Sequence, residues 1–439
     1  MKKGSGAKVG PCLYSGTIEL QEKIYMYDVI VIGGGASGMM AAISAAKSGA
    51  SVLLLEKNNV LGKKLSITGG GRCNIFNAEE NERLLLANYG ASKKYLYSAF
   101  SVFGLPETRE FFQSIGIQTK VEAKKRAFPV SEMAQDVVAA LKKELGRLNV
   151  KIISGANVQQ LYSEAGKIEY VQVGSQRYVA KNYVLSTGGA SYSETGSSGD
   201  GFTWLEQMGH SIKTPTPNIT PLATNDTWVK EVAGVSAKDI DVIFYLNGTR
   251  NFKISGDMLF THFGISGPLI LNNAYRVAEL LDLGTVTAEI DCFPQLNEKE
   301  LDTIIMKTLV EHPVKQLRST LRFISPTGLN KAVTTLLARQ IDVNVTNSEL
   351  SKVSRLKLVR LLKALPLTIK GLMGFERAVV ADGGLEIEHL DTRTMRSKKI
   401  DNLYITGDLI NINRPSGGYS LQLCWTTGYI AGVNAATTK

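Results

Sequence analysis

Gly33-Gly34-Gly35-Ala36-Ser37-Gly38 has the spacing Gly-x-Gly-x-x-Gly, and an acid, Glu56, stands about twenty positions on. These residue types suit one chemistry, the grip on a dinucleotide. Gly33 permits a tight turn, Gly35 lets the backbone approach a pyrophosphate, and Gly38 lets the following helix pack on its strands. The helix N-terminus presents unpaired N–H groups and a positive dipole end to the phosphates. Glu56 can accept hydrogen bonds from ribose hydroxyls.

Three further segments carry polar groups at the ends of elements. Leu61 to Asn74 surrounds a glycine run with Lys63, Lys64, Thr68, Arg72 and Asn74, which suits a second approach to a phosphate or a flavin ring. Thr187-Gly188-Gly189 ends one apolar run and Gly407-Asp408 ends another. An acid at the end of a buried strand could bind a polyol chain such as the ribityl of FAD. Ser416 to Gln422 then opens a last helix, whose free N–H groups could face the pyrimidine edge of a flavin and stabilise the charge placed there by reduction.

Side chains for proton transfer are few. There are four histidines, His210, His262, His312 and His389. His262 reads either as a proton donor or as a structural histidine in a tight loop, and the other three read as surface or turn residues. Tyr192 could donate a proton to a reduced enone, stack on a substrate, or pack a domain junction. Arg72 could neutralise a substrate carboxylate or a reduced flavin, or pair with a phosphate. Cys73 has no nearby thiol partner, which disfavours a disulfide reductase, and Cys424 reads as core.

The elements that position these groups follow from periodicity. Tyr27 to Ile32 reads as a buried parallel strand, followed by an alanine-rich helix to about Ser48, a Gly49 stop, and a second strand ending at Glu56. Lys151 to Ile153 and Tyr183 to Ser186 add strands on either side of a hairpin, and Leu403 to Thr406 adds another. Between about Ser191 and Pro366 the pattern changes. Pro215, Pro217 and Pro221 mark an extended linker. Asp239 to Leu246, Thr249 to Ser255 and Thr285 to Asp291 alternate like antiparallel strands, with Asn247-Gly248 as a hairpin turn. Asn297 to Val310, Val314 to Phe323, Leu329 to Ala338 and Lys352 to Leu365 have helical spacing. The expected architecture is α/β, a Rossmann-like FAD-binding domain in two parts (26–190 and 367–439). It is interrupted by a β-barrel or sandwich insertion (191–366) with a helical subdomain at about 296–345.

Composition narrows the class. With 439 residues, 44% hydrophobic and 21% charged, the chain is neither disordered nor fibrous. Its four cysteines are scattered without metal-knuckle or Cys-x-x-Cys spacing, so no metal is expected and the compartment reads as reducing and cytoplasmic. The net charge of +10 comes from dispersed lysines and arginines, consistent with solvated surface and a phosphate-rich cofactor. No stretch reads as transmembrane. Residues 1–25 are aperiodic and lack the apolar core of a secretory signal. They are expected to be a poorly ordered, dispensable leader, with Met26 as the natural start.

The segments GGGASGMMAA, LGKKLSITGGGRCN, TGGASYSETGSSGDG, GDMLFTHFGISGP and SGGYSLQLCWTTGYIAG resemble the BaiN-like (YhiN-like) NAD(P)/FAD-dependent oxidoreductases, a group that includes aminoacetone oxidase-like flavoproteins. The likeness runs from about residue 27 to 434. It implies FAD contacts at Gly33, Gly35, Ser37, Gly38, Glu56, Lys57, Lys64, Thr68, Gly71, Arg72, Cys73, Asn74, Val158 (through its backbone, to the adenine), Thr187, Gly188, Asp408, Gly418 and Tyr419. Ala36, Gly189 and Ser420 lie within the same motifs, and His262 lies in a family motif. There are departures. The family usually has Glu at Asp408, an Asp-Val-Asp-Gly-like stretch where Asn411-Ile412-Asn413-Arg414-Pro415 stands, and often Asn at Ser420.

The reading is an FAD-dependent oxidoreductase of a small organic substrate. No second complete dinucleotide unit occurs in the insertion. Either NAD(P)H binds transiently over the flavin and an activated C=C is reduced, as BaiN-like relatives imply, or the substrate is an amine and oxygen reoxidises the flavin. An FAD-dependent enzyme acting on RNA and a non-catalytic flavin-binding protein are the remaining alternatives. A small-molecule substrate is expected, with no nucleic-acid or membrane partner and the oligomeric state open.

Overall fold

The computed structural model describes residues 25–375, 378 and 380–438. The expectation of a disordered leader falls on residues 1–24, outside the described residues. Tyr25 already pairs with Tyr178, and Met26 with Val179, so the first strand (Tyr25–Ile32) begins two residues earlier than the sequence pattern suggests.

The chain builds two hydrophobic cores. The first surrounds a sheet whose five central strands are parallel, in the order Leu403–Ile405, Gln176–Leu185, Tyr25–Ile32, Val52–Glu56, Lys151–Ser154. Val29 to Ile32 and Val52 to Leu55 are almost wholly buried, which is why both read as continuous apolar runs. The register sets Ile32 opposite both Leu55 and Leu185, and Leu185 opposite Ile405. Four strand ends therefore open at one level, where the following turns can converge. The hairpin Val158–Glu164 and Lys167–Val173 extends Gln176–Leu185 antiparallel.

The first helix (Ala36–Lys47) packs along the closing helix (Tyr419–Thr437). It ends in a Schellman motif: Gly49 at φ +90° donates to Ala46 O, and Ala50 donates to Ala45 O. A Cβ at Gly428 would overlap the Ser37 carbonyl, and one at Gly432 would overlap the Ala41 carbonyl and Ser44 Oγ. These two glycines let the helices touch backbone to backbone. Trp425 is fully buried beside them, and its indole N–H donates to Ile75 O at 2.9 Å.

The second core fills a closed six-stranded barrel and the helices packed on it. Around the barrel the order is Leu222–Thr224, Gly264–Ser266, Thr249–Thr261, Ser236–Leu246, Val286–Asp291, Leu365–Leu372. Asn247 and Gly248 both have positive φ (+49° and +81°), as a tight Asn-Gly hairpin turn requires. The barrel's last strand crosses residue 366, so the insertion runs past that boundary. At the other end, Phe202, Trp204 and Leu205 pack in the first core, so the insertion begins after residue 191. The proline-marked linker is a strand, Ile212–Asn218, paired antiparallel with Val380–Leu385, so both crossings between the cores form one ribbon. The helical subdomain comprises Glu298–Glu311, Leu317–Ile324, Asn330–Leu337 and Lys352–Lys363, and thus extends beyond residue 345.

Gly432→Val should separate the two helices and cost about 1–3 kcal/mol, read as a fall in thermal midpoint. Gly146→Ala, at an exposed helical position where a Cβ meets nothing within 4 Å, should raise the midpoint slightly.

Candidate active site

A cavity of about 950 Å³ opens at the C-terminal ends of the parallel strands and reaches the barrel. Its floor is the turn from Gly33 to Ser37. A Cβ at Gly35 would meet no protein atom within 4 Å, so this backbone is bare toward the cavity. Gly38 does not line the cavity; a Cβ there would overlap the Gly33 carbonyl, which fixes the tight turn. Glu56 is buried at 7% exposure, with Oε2 accepting from the Gly34 amide and Oε1 from the backbone and side chain of Asn58, all at 2.7 Å. Asn157 and Val158 continue this wall.

The loop Leu61–Asn74 forms a second wall. Gly69, Gly70 and Gly71 all have positive φ (+58°, +69°, +84°), and Cβ atoms at the last two would meet nothing. Lys64 is half-buried, donating to Ser191 O at 2.7 Å, and desolvation lowers its pKa. Lys57 is tied to Ser198 and Asp200 at 2.5 and 2.9 Å. Thr68 lines the cavity while its hydroxyl donates to Leu65 O. Asn74, with its amide oriented to suit its neighbours, donates to Phe76 O and Ala127 O and accepts from the Gly418 amide at 2.9 Å.

Thr187 and Gly188 form the third wall, and Asp408, Gly418, Tyr419 and Ser420 the fourth. The Thr187 hydroxyl is buried without a protein partner and lies against Gly201, where a Cβ would come within 2.3 Å of it. Gly418 (φ +98°) caps the closing helix, pressed so near Phe76 that no Cβ fits. On the far side stand Ile219, Asp257, Pro268, Leu271 and Asn272, the last two on the short helix Pro268–Leu271 and its C-cap. Asn272 accepts from both the amide and the hydroxyl of Ser416, at 3.1 and 2.7 Å, and so ties this side to the turn before the closing helix.

Several expected residues stand elsewhere. His262 is exposed in the turn between Thr249–Thr261 and Gly264–Ser266, off the cavity wall, so it is not placed as a proton donor. Gly71, Cys73 and Gly189 also lie off the wall. Cys73 is fully buried, and burial pushes its thiol up to about 12. Arg72 lines the cavity, yet its guanidinium pairs with Glu122 and with Glu132 (3.2 Å) and stacks on Phe128. Two carboxylates already balance its charge, which removes it as a free cation for substrate. His210, expected at the surface, is buried and bridges Leu205 O and Ser397 Oγ. Tyr192 does line the cavity, held in a left-handed conformation (φ +48°) with its amide on Phe375 O. Strain of this kind concentrates at functional sites.

Asn58, Phe128, Asp257 and Asn272 were not anticipated. Asn58, Phe128 and Asn272 sit in segments without a motif signal, whereas Asp257 is the second residue of the GDMLFTHFGISGP stretch in which attention falls on His262.

A bare glycine turn at a helix start, an acid at the second strand end and a second helix start facing them define a dinucleotide-binding flavoenzyme site. The donors and acceptors fit FAD. The chain belongs to the HI0933-like family, whose Rossmann domain matches residues 27–434, and it is an FAD-dependent oxidoreductase. It is 33% identical over 410 residues to a 3-dehydro-bile acid Δ(4,6)-reductase of Clostridium scindens, covering 92% of this chain and 98% of that one. It is 27% identical over 410 residues to a ribosomal RNA dihydrouridine synthase of Haemophilus influenzae, covering 92% and 97%. The fold is shared with a 3-ketosteroid-Δ4-(5α)-dehydrogenase of Rhodococcus jostii (TM-score 0.52, 14% identity, 97% and 99% covered). No helix among the described residues is long and apolar enough to cross a membrane.

Gly35→Val should fill the bare approach and yield folded protein without FAD, measured as flavin released per chain on denaturation. Retention of one FAD per chain would remove the turn from the site.

Proposed function

We propose that the enzyme uses NAD(P)H to reduce a carbon–carbon double bond conjugated to a carbonyl in a small organic substrate. The observation that carries this reading is the composite cavity. One end has the groups for FAD, and the other is walled by Ile219 and by Pro268 and Leu271 of the short helix beside the barrel, which suit an apolar ring. The full-length likeness to a bile acid reductase supports it.

FAD would be held by the Gly33–Ser37 amides at its pyrophosphate, Glu56 at the adenosine ribose and the Val158 backbone at the adenine. Asp408 would bind the ribityl chain. The amides of Tyr419 and Ser420 would meet the pyrimidine edge, where a helix N-terminus favours negative charge. Bound there, FAD supplies two-electron hydride chemistry. This chain's own part is to hold the substrate against that face, exclude water with the apolar wall and deliver a proton. Tyr192, which lines the cavity, is the proposed donor.

A second reading places the double bond in an RNA base. The helical subdomain favours it: residues 297–364 hold twelve Lys and Arg against six Asp and Glu, more than half of the chain's net charge. The likeness to a dihydrouridine synthase points the same way.

Anaerobic NADPH or NADH should bleach the flavin absorbance. A stable oxidised spectrum with both would redirect the reading to an oxidase. Tyr192→Phe should leave that bleaching intact and slow reoxidation by a cyclic enone about 100-fold; an unchanged rate would remove Tyr192 as donor. Filter binding of ribosomal RNA at low and high salt separates the two substrate readings.

A further inference from the structure

Arg414 is buried, with 2% of its side chain exposed, and stands just behind the cavity wall. Its guanidinium pairs with Asp408, donates from Nε to Ser420 Oγ at 3.1 Å, and donates from Nη1 to Ile412 O at 2.6 Å. Asp408 and Ser420 both line the cavity; Arg414 itself does not. One planar group thus joins the end of the strand Leu403–Ile405 to the start of the closing helix.

The three joined positions fall where this chain departs from the pattern its resemblance implies: Asp for the usual Glu at 408, the stretch 411–415, and Ser for the frequent Asn at 420. Asp is one methylene shorter than Glu, and Ser is shorter than Asn and lacks its amide. The Arg414 guanidinium supplies the donors that hold both short side chains.

We infer that Arg414, Asp408 and Ser420 form one compensated unit, with Arg414 the positioning residue that aims the other two at the flavin. The inference rests on the FAD reading of the cavity. It has an electrostatic consequence. The Arg414 cation balances the Asp408 carboxylate, which without it would stand uncompensated and disfavour added negative charge on a molecule held against this wall. The chain's flavin should therefore be more easily reduced than it would be without Arg414.

The test compares FAD dissociation constants of reconstituted protein and flavin midpoint potentials. Arg414→Met and Arg414→Gly should each weaken FAD about ten- to a hundredfold, the loss expected for charged hydrogen bonds, and move the potential to more negative values. Arg414→Lys should weaken FAD yet keep the potential near that of the wild type, because the charge remains while the fork is lost. Asp408→Glu and Ser420→Asn should each weaken binding through crowding. The triple variant Asp408→Glu/Arg414→Gly/Ser420→Asn should recover affinity to within about threefold of wild type, a non-additive result that only direct coupling gives. Losses that simply add in the triple variant, or an Arg414→Met protein with wild-type affinity and potential, would overturn the inference. Wild-type protein that takes up no FAD would instead overturn the reading of the cavity itself.

Discussion

The whole site depends on how closely the first helix is allowed to approach its neighbours. Gly38 sits on the Gly33 carbonyl, and Gly428 and Gly432 of the closing helix sit on the Ser37 and Ala41 carbonyls. No side chain separates these backbones. The contact clamps the glycine turn between a strand end and a helix from the other end of the chain. Residues 33–37 and 408–420 then share one cavity although almost the full sequence lies between them. The register of the parallel strands adds to this, since Ile32, Leu55, Leu185 and Ile405 end at one level. Any change that spreads the helices also spreads the groups that must converge on a flavin.

Around that clamp the charges are arranged in pairs. Lys57 is spent on Asp200, Arg72 on Glu122 and Glu132, and Arg414 on Asp408. Lys64 instead donates to the Ser191 carbonyl. An ion pair, half-exposed like those of Lys57 and Arg72 or buried like that of Arg414, adds little net stability, because screening or desolvation offsets the attraction. Its use here is geometric: each pair fixes a carboxylate or a loop beside the cavity. The barrel is joined to this frame by the ribbon Ile212–Asn218 with Val380–Leu385 and by Asn272 on Ser416. The wall that would cover the substrate is therefore attached to the turn that would face the flavin.

Much of this was legible in the sequence. The glycine turn, Glu56, the Thr187 and Gly407 strand ends and the barrel hairpin at Asn247-Gly248 all depend on local backbone rules, and the structure has each element where those rules place it. What escaped notice depends on contacts between distant segments. The partners of Arg72 are 50 and 60 residues away, Glu122 at the end of the strand Thr119–Glu122 and Glu132 outside any strand, so its neutralised charge had no local signature. His262 shares a motif with residues near the cavity, but the turn points it to solvent. His210 looked like a turn residue beside Gly209, and its burial follows from Ser397 on a strand far down the chain. Arg414 seemed only a departure from a pattern. Its bonds to Asp408 and Ser420 tie that departure to two others.

Membership of the HI0933-like family and the geometry of the cavity agree on an FAD-dependent oxidoreductase. The proposed reduction of an enone adds a proton donor at Tyr192 and an apolar wall beside the barrel to that common base. The most direct measurement is the visible spectrum of the purified chain after incubation with FAD and removal of the excess. One bound flavin per chain, with absorbance bands shifted from those of free FAD, is the expected result. A colourless protein that cannot be reconstituted would contradict the assignment of the cavity and everything built on it.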